Sequence, residues 1–235
     1  MDRHWQLSSY LNKHRDAISQ VVAFNPAVDK FFQFNFTETN TALSGADVAD
    51  TEKFSHYIKA QLQQHNCRLG IGGYMEHRNI YQRSDLFDDY EEPRTLHLGV
   101  DIWGPAGMHV YAPLAGKVHS FQDNNHFGDY GPTIILEHNL DGLSLYSLYG
   151  HLSRGSLTSL KVGHAIESGQ KIAELGHADE NGDWPAHLHF QLMFDMQGKA
   201  GDYPGVGKFS EKETLILNIP DPNLILQISA ATIVA

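Results

Sequence analysis

His187-Leu188-His189-Phe190-Gln191-Leu192-Met193-Phe194 alternates in character along its length. Leu188, Phe190, Leu192 and Phe194 fall at period two, which places them on one face of a strand. His187 and His189 then share the other face, about 6.6 Å apart along the chain. Two imidazoles on one face can both reach a pocket, one as a metal ligand and one working beside it. Read alone, the pair is equally well two histidines on a solvent face.

The same pattern extends over most of the chain. Residues 1–69 hold a single glycine, Gly45, and the other twenty lie from Gly70 onward. Dense glycine among alternating apolar residues predicts many short strands and tight turns. The candidates are 100–103, 109–112, 116–122, 133–137, 143–148, 171–175 and 188–194. Gly104-Pro105, Asn124-Asn125, Gly131-Pro132, Asp141-Gly142 and Ser168-Gly169 break them. Strands at this spacing without helical patterns between them imply an antiparallel sandwich or barrel. Leu224, Leu226 and Ile228, after Pro220-Asp221-Pro222, alternate as an added strand would.

The first 69 residues read differently. Ser8 or Ser9 suits the cap of a helix through Leu11, Ile18 and Val22. Thr51 suits the cap of another, with Phe54, Tyr57, Ile58 and Leu62 on one face. Phe31, Phe32, Phe34 and Phe36 between them suggest an extended segment. The chain thus divides into a helical N-terminal extension, 1–69, and a β domain with a C-terminal tail, 70–235.

His97-Leu98-Gly99-Val100-Asp101 offers a second pair of metal-binding side chains. On a straight strand their Cα atoms would stand about 13 Å apart, too far to share one ion. Gly99, Val100 and Ile102 make poor helix. A bend at Gly99 would fold both side chains inward. Imidazole nitrogen and carboxylate oxygen are both good zinc ligands. Tyr149-Gly150-His151-Leu152 adds an imidazole at the end of an aromatic strand. Three ligands and two spare imidazoles are the inventory of a zinc site with an open position for water and acid/base groups beside it.

Composition narrows the partners. Hydrophobic residues make up 41% of the 235 and charged ones 19%, which favours a packed core over disorder. A net charge of -11 repels phosphate backbones and anionic lipid heads, so neither nucleic acid nor a membrane surface is expected. The first twenty residues contain no continuous apolar stretch of the secretory type, and Cys67 is the sole cysteine. These features point to a cytoplasmic protein; a trimmed secreted one would read the same way.

Six ordered segments carry a resemblance: His97-x-Gly99-x-Asp101, Ala112-Pro113-x-x-Gly116-x-Val118, Glu137-His138, Tyr149-Gly150-His151-Leu152, Gly169-Gln170-x-Ile172 and His187-Leu188-His189-Phe190. In this order they resemble the lysostaphin-type zinc endopeptidases, which cleave peptides of bacterial cell walls. The likeness covers about Gly70 to Phe194. It implies a β-barrel-sandwich hybrid of the duplicated hybrid motif type. It also implies zinc on His97, Asp101 and His189, with His151 and His187 as catalytic histidines. Tyr90, upstream of the first ligand, stands where a family tyrosine can polarise the scissile carbonyl. No HExxH helix supplies a glutamate base, so the free histidines are the expected proton carriers.

Two departures bear on substrate. The stretch from Gly176 to Ala186 replaces a short Gly/Ser/Thr-rich approach to the histidine pair, and Gln191 stands where an acid is common. The expectation is a zinc-dependent endopeptidase or amide hydrolase acting on a peptide or peptidoglycan-like substrate. The alternatives are a non-enzymatic binding or regulatory module, and a cytosolic hydrolase of a small peptide or amide metabolite. The tail segments Gly201-Asp202-Tyr203-Pro204-Gly205-Val206 and Pro220-Asp221-Pro222-Asn223, similar to a branch fused within cytosolic aminotransferase proteins, favour the last. Residues 1–90 would either gate the cleft or add a packing layer.

Overall fold

The alternating histidine strand stands in the middle of the largest sheet. The protein is described by a computed structural model over residues 2–235. In chain order, helix α1 (Arg3–Lys13) precedes strand β1 (Phe31–Gln33), helices α2 (Gly45–Ala49) and α3 (Thr51–Gln64), and strand β2 (Leu69–Gly72). Single 3-10 turns at Ile80–Arg83 and Asp85–Phe87 lead to β3 (Arg94–His97), β4 (Val100–Trp103) and β5 (His109–Tyr111). Long strands follow: β6 (Gly116–Asn124), β7 (Gly131–Leu140) and β8 (Leu143–Gly150). Then come β9 (Ala165–Ile166), β10 (Lys171–Glu174), β11 (His187–Met193) and β12 (Val206–Lys208). The chain ends with α4 (Lys212–Ile216), α5 (Asn223–Leu226) and β13 (Ile233–Val234).

Nine strands form one sheet in the order β13-β1-β2-β4-β11-β8-β7-β6-β9. Two ribbons, β5–β10 and β3–β12, stand beside it. The mainly β expectation with helices holds. The barrel does not: β13 and β9 are free edges, so among the described residues no sheet closes on itself. The pairing is antiparallel from β2 to β9, but β1 runs parallel to both its neighbours. Phe31 sits opposite Leu69 on one side and Ile233 on the other, so the early segment and the tail are tied into the main sheet.

The helices depart locally from the sequence reading. The Asp2 side chain accepts from His4 N and caps α1, so Ser8 and Ser9 lie inside the helix. The helix stops at Lys13, and Val22 is extended, bridged to Val110. Asp50, one residue before Thr51, caps α3 by accepting from Glu52 N and Lys53 N. In the tail, α5 replaces the expected strand, and its buried residues are the neighbours Ile225 and Leu226.

Every residue of β11 is buried. Leu188, Phe190 and Leu192 pack with Val100, Ile102, Leu136 and Tyr149. The opposite face, which holds His187 and His189, is also covered. Leu96, Leu98, Ile135, Leu148 and Met193 form one part of that layer. Phe34, Phe36, Phe54, Trp103 and Trp184 form the other. Among the described residues no helix is long and apolar enough to cross a membrane.

α3 reaches the histidine face through two rings. Phe54 is fully buried, its centroid 5.8 Å from that of Trp103, whose indole stacks on His187 at 4.1 Å. Phe54→Ala should therefore lower unfolding free energy by about 3–5 kcal/mol, read from denaturant midpoints. A loss under about 1 kcal/mol would mean that α3 rests on the sheet without bracing it.

Candidate metal centre

The ligand pair is placed by sheet register. Asp101 on β4 lies directly opposite His189 on β11. The row continues outward to Gly72 on β2 and Gly150 on β8. Side chains opposite one another on adjacent strands stand about 5 Å apart at Cβ. The glycines at either end leave room for bulkier groups from elsewhere. A Cβ on Gly72 would lie 2.6 Å from Arg78 Nη2, and one on Gly150 would lie 2.6 Å from the Tyr130 ring.

His97 reaches the same point from β3, after a break between the strands at Leu98-Gly99. The bend expected at Gly99 is present, but its cause is space: Gly99 does not have a positive φ. A Cβ there would lie 2.7 Å from the His189 ring and 2.7 Å from the Phe190 carbonyl oxygen.

Three atoms converge. His97 Nε2 is 3.0 Å from His189 Nδ1, and Asp101 Oδ1 is 3.2 Å from each. Their hydrogen-bond partners assign the tautomers. His97 Nδ1 donates to the Gly73 carbonyl at 2.7 Å, so Nε2 carries a lone pair. Gln191 Nε2 donates to the Pro204 carbonyl, which turns Gln191 Oε1 toward His189. His189 Nε2 donates to that oxygen at 3.0 Å, so its Nδ1 also carries a lone pair. Two lone pairs and a carboxylate oxygen thus face one another in a buried site with no proton between the imidazoles. A tetrahedral zinc with bonds of about 2.0–2.1 Å spaces its ligand atoms about 3.3 Å apart. The donor set fits such an ion. Gly73 and Gln191 are the outer partners that zinc-binding histidines ordinarily have.

Burial pushes the His97 imidazole down to about 4, with the Arg78 charge adding to the effect. Burial would raise Asp101, but the Arg78 guanidinium on Oδ2 outweighs it and holds the carboxyl well below its usual range. A neutral imidazole beside an ionised carboxylate is the state a divalent cation requires.

His151 and His187 stand next to this cluster, ring centroids 4.1 Å apart. His151 Nδ1 donates to the Asn181 carbonyl and His187 Nδ1 to that of Pro185, each at 2.8 Å. The Nε2 lone pair of each is left free of protein donors. Burial lowers both, His187 to about 4 and His151 well below its ordinary value. His151 sits in the left-handed region, φ 62°, held by Tyr130 O on its amide and by Gly176 N on its carbonyl. The long approach, 176–186, thus has a definite task. Asn181 caps its own loop through Gly176 and Trp184 while its carbonyl orients His151.

Tyr90 is not brought to the cluster. It is fully exposed in the connection before β3 and lines no part of the cavity above the donors. The tyrosine in place is Tyr130, whose hydroxyl lies 3.5 Å from His189 Nε2 and whose ring packs on His189 and His151. Burial and Asp202 raise its pKa well above normal, so it stays protonated. The cavity is about 130 Å³, with Tyr81, Phe87, Trp103, Tyr130 and Trp184 in its walls. Sequence reasoning missed Tyr130 and Arg78. Tyr130 is marked only by Gly131-Pro132 after it, and Arg78 only by the Gly72-Gly73-Tyr74 run before it.

The family model described as Peptidase family M23 matches residues 95–202. Lipoprotein NlpD of Yersinia enterocolitica is 31% identical over 94 residues, 40% of this chain and 86% of that protein. The murein hydrolase activator NlpD of Escherichia coli is 30% identical over 96 residues, 41% of this chain and 22% of that one. Two further lipoprotein relatives match over 34% and 22% of their own length, so the chain spans little more than a third of one and under a quarter of the other. Among solved structures, the catalytic domain of lysostaphin from Staphylococcus simulans is 28% identical, covering 52% of this chain and 80% of that domain, with a TM-score of 0.36.

These relatives correct the cytoplasmic expectation and the exclusion of membranes. Three of them are described as lipoproteins, one of these as an outer membrane antigenic lipoprotein. Surface charge bears on which surfaces a protein binds, not on the compartment it occupies.

Replacing Gly99 by alanine presses a methyl group onto His189 and onto backbone that cannot yield. We expect Gly99→Ala to weaken zinc binding at least about 10-fold with little change in secondary structure, measured by competition with a chromophoric chelator. Unchanged affinity would show that His189 does not hold the ion.

Proposed function

Because the chain belongs to peptidase family M23, we propose that it is a zinc-dependent hydrolase of peptide or amide bonds, acting on peptidoglycan-like material of the cell envelope. The observation that carries this reading is the convergence of His97 Nε2, Asp101 Oδ1 and His189 Nδ1 within 3.2 Å of one another. Zinc bound by these three supplies Lewis acidity toward a peptide carbonyl and toward water.

The chain's own residues do the rest. His151 and His187, neutral and anchored at Nδ1, each offer an Nε2 lone pair to a proton. One accepts it from the attacking water and returns it to the leaving nitrogen, as paired acid/base groups do. The Tyr130 phenol, kept protonated by burial, is the donor to the oxygen that gains charge. It takes the role that the sequence resemblance implied for Tyr90. The aromatic walls exclude water from the developing charge. In this reading residues 1–69 are an extension that lends β1 to the sheet, and 70–235 are the peptidase domain with its tail. The open sheet and its ribbons are a variant of the duplicated hybrid motif.

A second reading is a module that activates another murein hydrolase, and relatives described as murein hydrolase activators favour it. The intact donor set with two free imidazoles favours the enzyme.

The test is hydrolysis of cross-linked murein fragments and of short peptides by zinc-loaded protein. His151→Ala should reduce turnover about 100- to 10,000-fold while zinc per chain stays the same. Full turnover in that variant would remove His151 from the mechanism. A wild type that hydrolyses nothing but stimulates a separate murein hydrolase would establish the second reading.

A further inference from the structure

Arg78 is the largest charged side chain wholly inside the protein, 1% exposed. Burying a guanidinium is costly unless its donors are matched; here Nε and Nη1 are matched and Nη2 is not. Its Nη1 donates to Asp101 Oδ2 at 2.5 Å and its Nε to Glu76 Oε2 at 2.6 Å. The Phe36 ring lies 5.3 Å from its Cζ, and the Tyr81 hydroxyl is 3.4 Å from Nη1. The Arg78 amide donates to Thr95 O, which fixes the segment against β3. Gly72, beside Asp101 in the strand row, leaves the space that the guanidinium fills. None of this lies in the matched residues 95–202 except Asp101 and Thr95.

The two oxygens of Asp101 therefore do different things. Oδ1 faces both imidazole lone pairs, and Oδ2 is held by Arg78. We propose that Arg78 is a positioning residue for the metal-binding carboxylate: its grip on Oδ2 makes Asp101 a one-oxygen ligand and keeps a coordination position open. Carboxylates bind metals through one oxygen or both. A ligand free to swing its second oxygen inward would fill the position that substrate or water needs. The inference rests on the zinc reading above.

Electrostatics and positioning predict opposite signs. A positive charge some ångströms from a cation opposes its binding, so a bystander arginine would be removed with a gain in zinc affinity. A positioning residue would be removed with a loss. The measurements are zinc affinity by chelator competition and the visible spectrum of the cobalt-substituted protein, for wild type, Arg78→Gln and Arg78→Lys. For Arg78→Gln we expect affinity to fall about 10- to 100-fold. We also expect the cobalt bands to weaken as a second carboxylate oxygen enters the coordination sphere. Arg78→Lys, which keeps the charge but not the planar fork, should recover part of both. Where Arg78→Gln does not fold, Glu76→Gln/Arg78→Gln removes the buried pair together and is measured instead. A folded variant with an unchanged cobalt spectrum, or with equal or tighter zinc binding, overturns the proposal and leaves the metal site standing. A wild type that takes up neither zinc nor cobalt overturns the zinc reading and this inference with it.

Discussion

A buried carboxylate shared between opposite demands organises this molecule. Asp101 turns one oxygen to two imidazole lone pairs and the other to a guanidinium, all of them inside the protein. Such a group is tolerable only when every lone pair has a partner. Arg78, from the segment before β3, donates to Oδ2, while at Oδ1 the lone pairs of His189 from the next strand and His97 from the ribbon converge with its own, an arrangement that a cation completes. The sheet sets the spacing, because Gly72, Asp101, His189 and Gly150 form one row across four strands. A slip of one residue in β11 would turn both of its histidines to the apolar face.

Much of this was legible in order of increasing range. The period-two pattern located the long strands to within a few residues, since alternation depends only on neighbours along the chain. It also placed His187 and His189 on one face. The pairing of His97 with Asp101 came from the resemblance, because their spacing alone suits a shared ion only if the chain bends between them. What the bend is for was not legible: Gly99 clears space for a ring ninety residues away. Tyr130 and Arg78 were hidden for the same reason, as each enters the site over a glycine on another strand. The open sheet and the parallel β1 depend on contacts between Phe31, Leu69 and Ile233 that no local pattern encodes.

The two departures noted in the sequence have structural accounts. Gln191 gives His189 a neutral acceptor whose orientation is settled by the Pro204 carbonyl. A carboxylate there would put a second negative charge on the His189 ring, across from Asp101, and would lack the amide N–H that reaches Pro204. The long loop before His187 folds on Asn181 and carries the carbonyl that sets the His151 tautomer. Both changes alter how the histidines are held rather than which atoms they present.

The stacking of Trp103 on His187 has an optical consequence. The chain has three tryptophans. Trp5 is 60% exposed, while Trp103 and Trp184 lie with ring centroids 4.1 and 6.2 Å from His187. Two of the three indoles therefore border the histidine site. An excited indole is sensitive to the charge of an imidazole in contact with it, so emission from the two buried rings reports the electronic state of the site, with Trp5 contributing a solvent-exposed background.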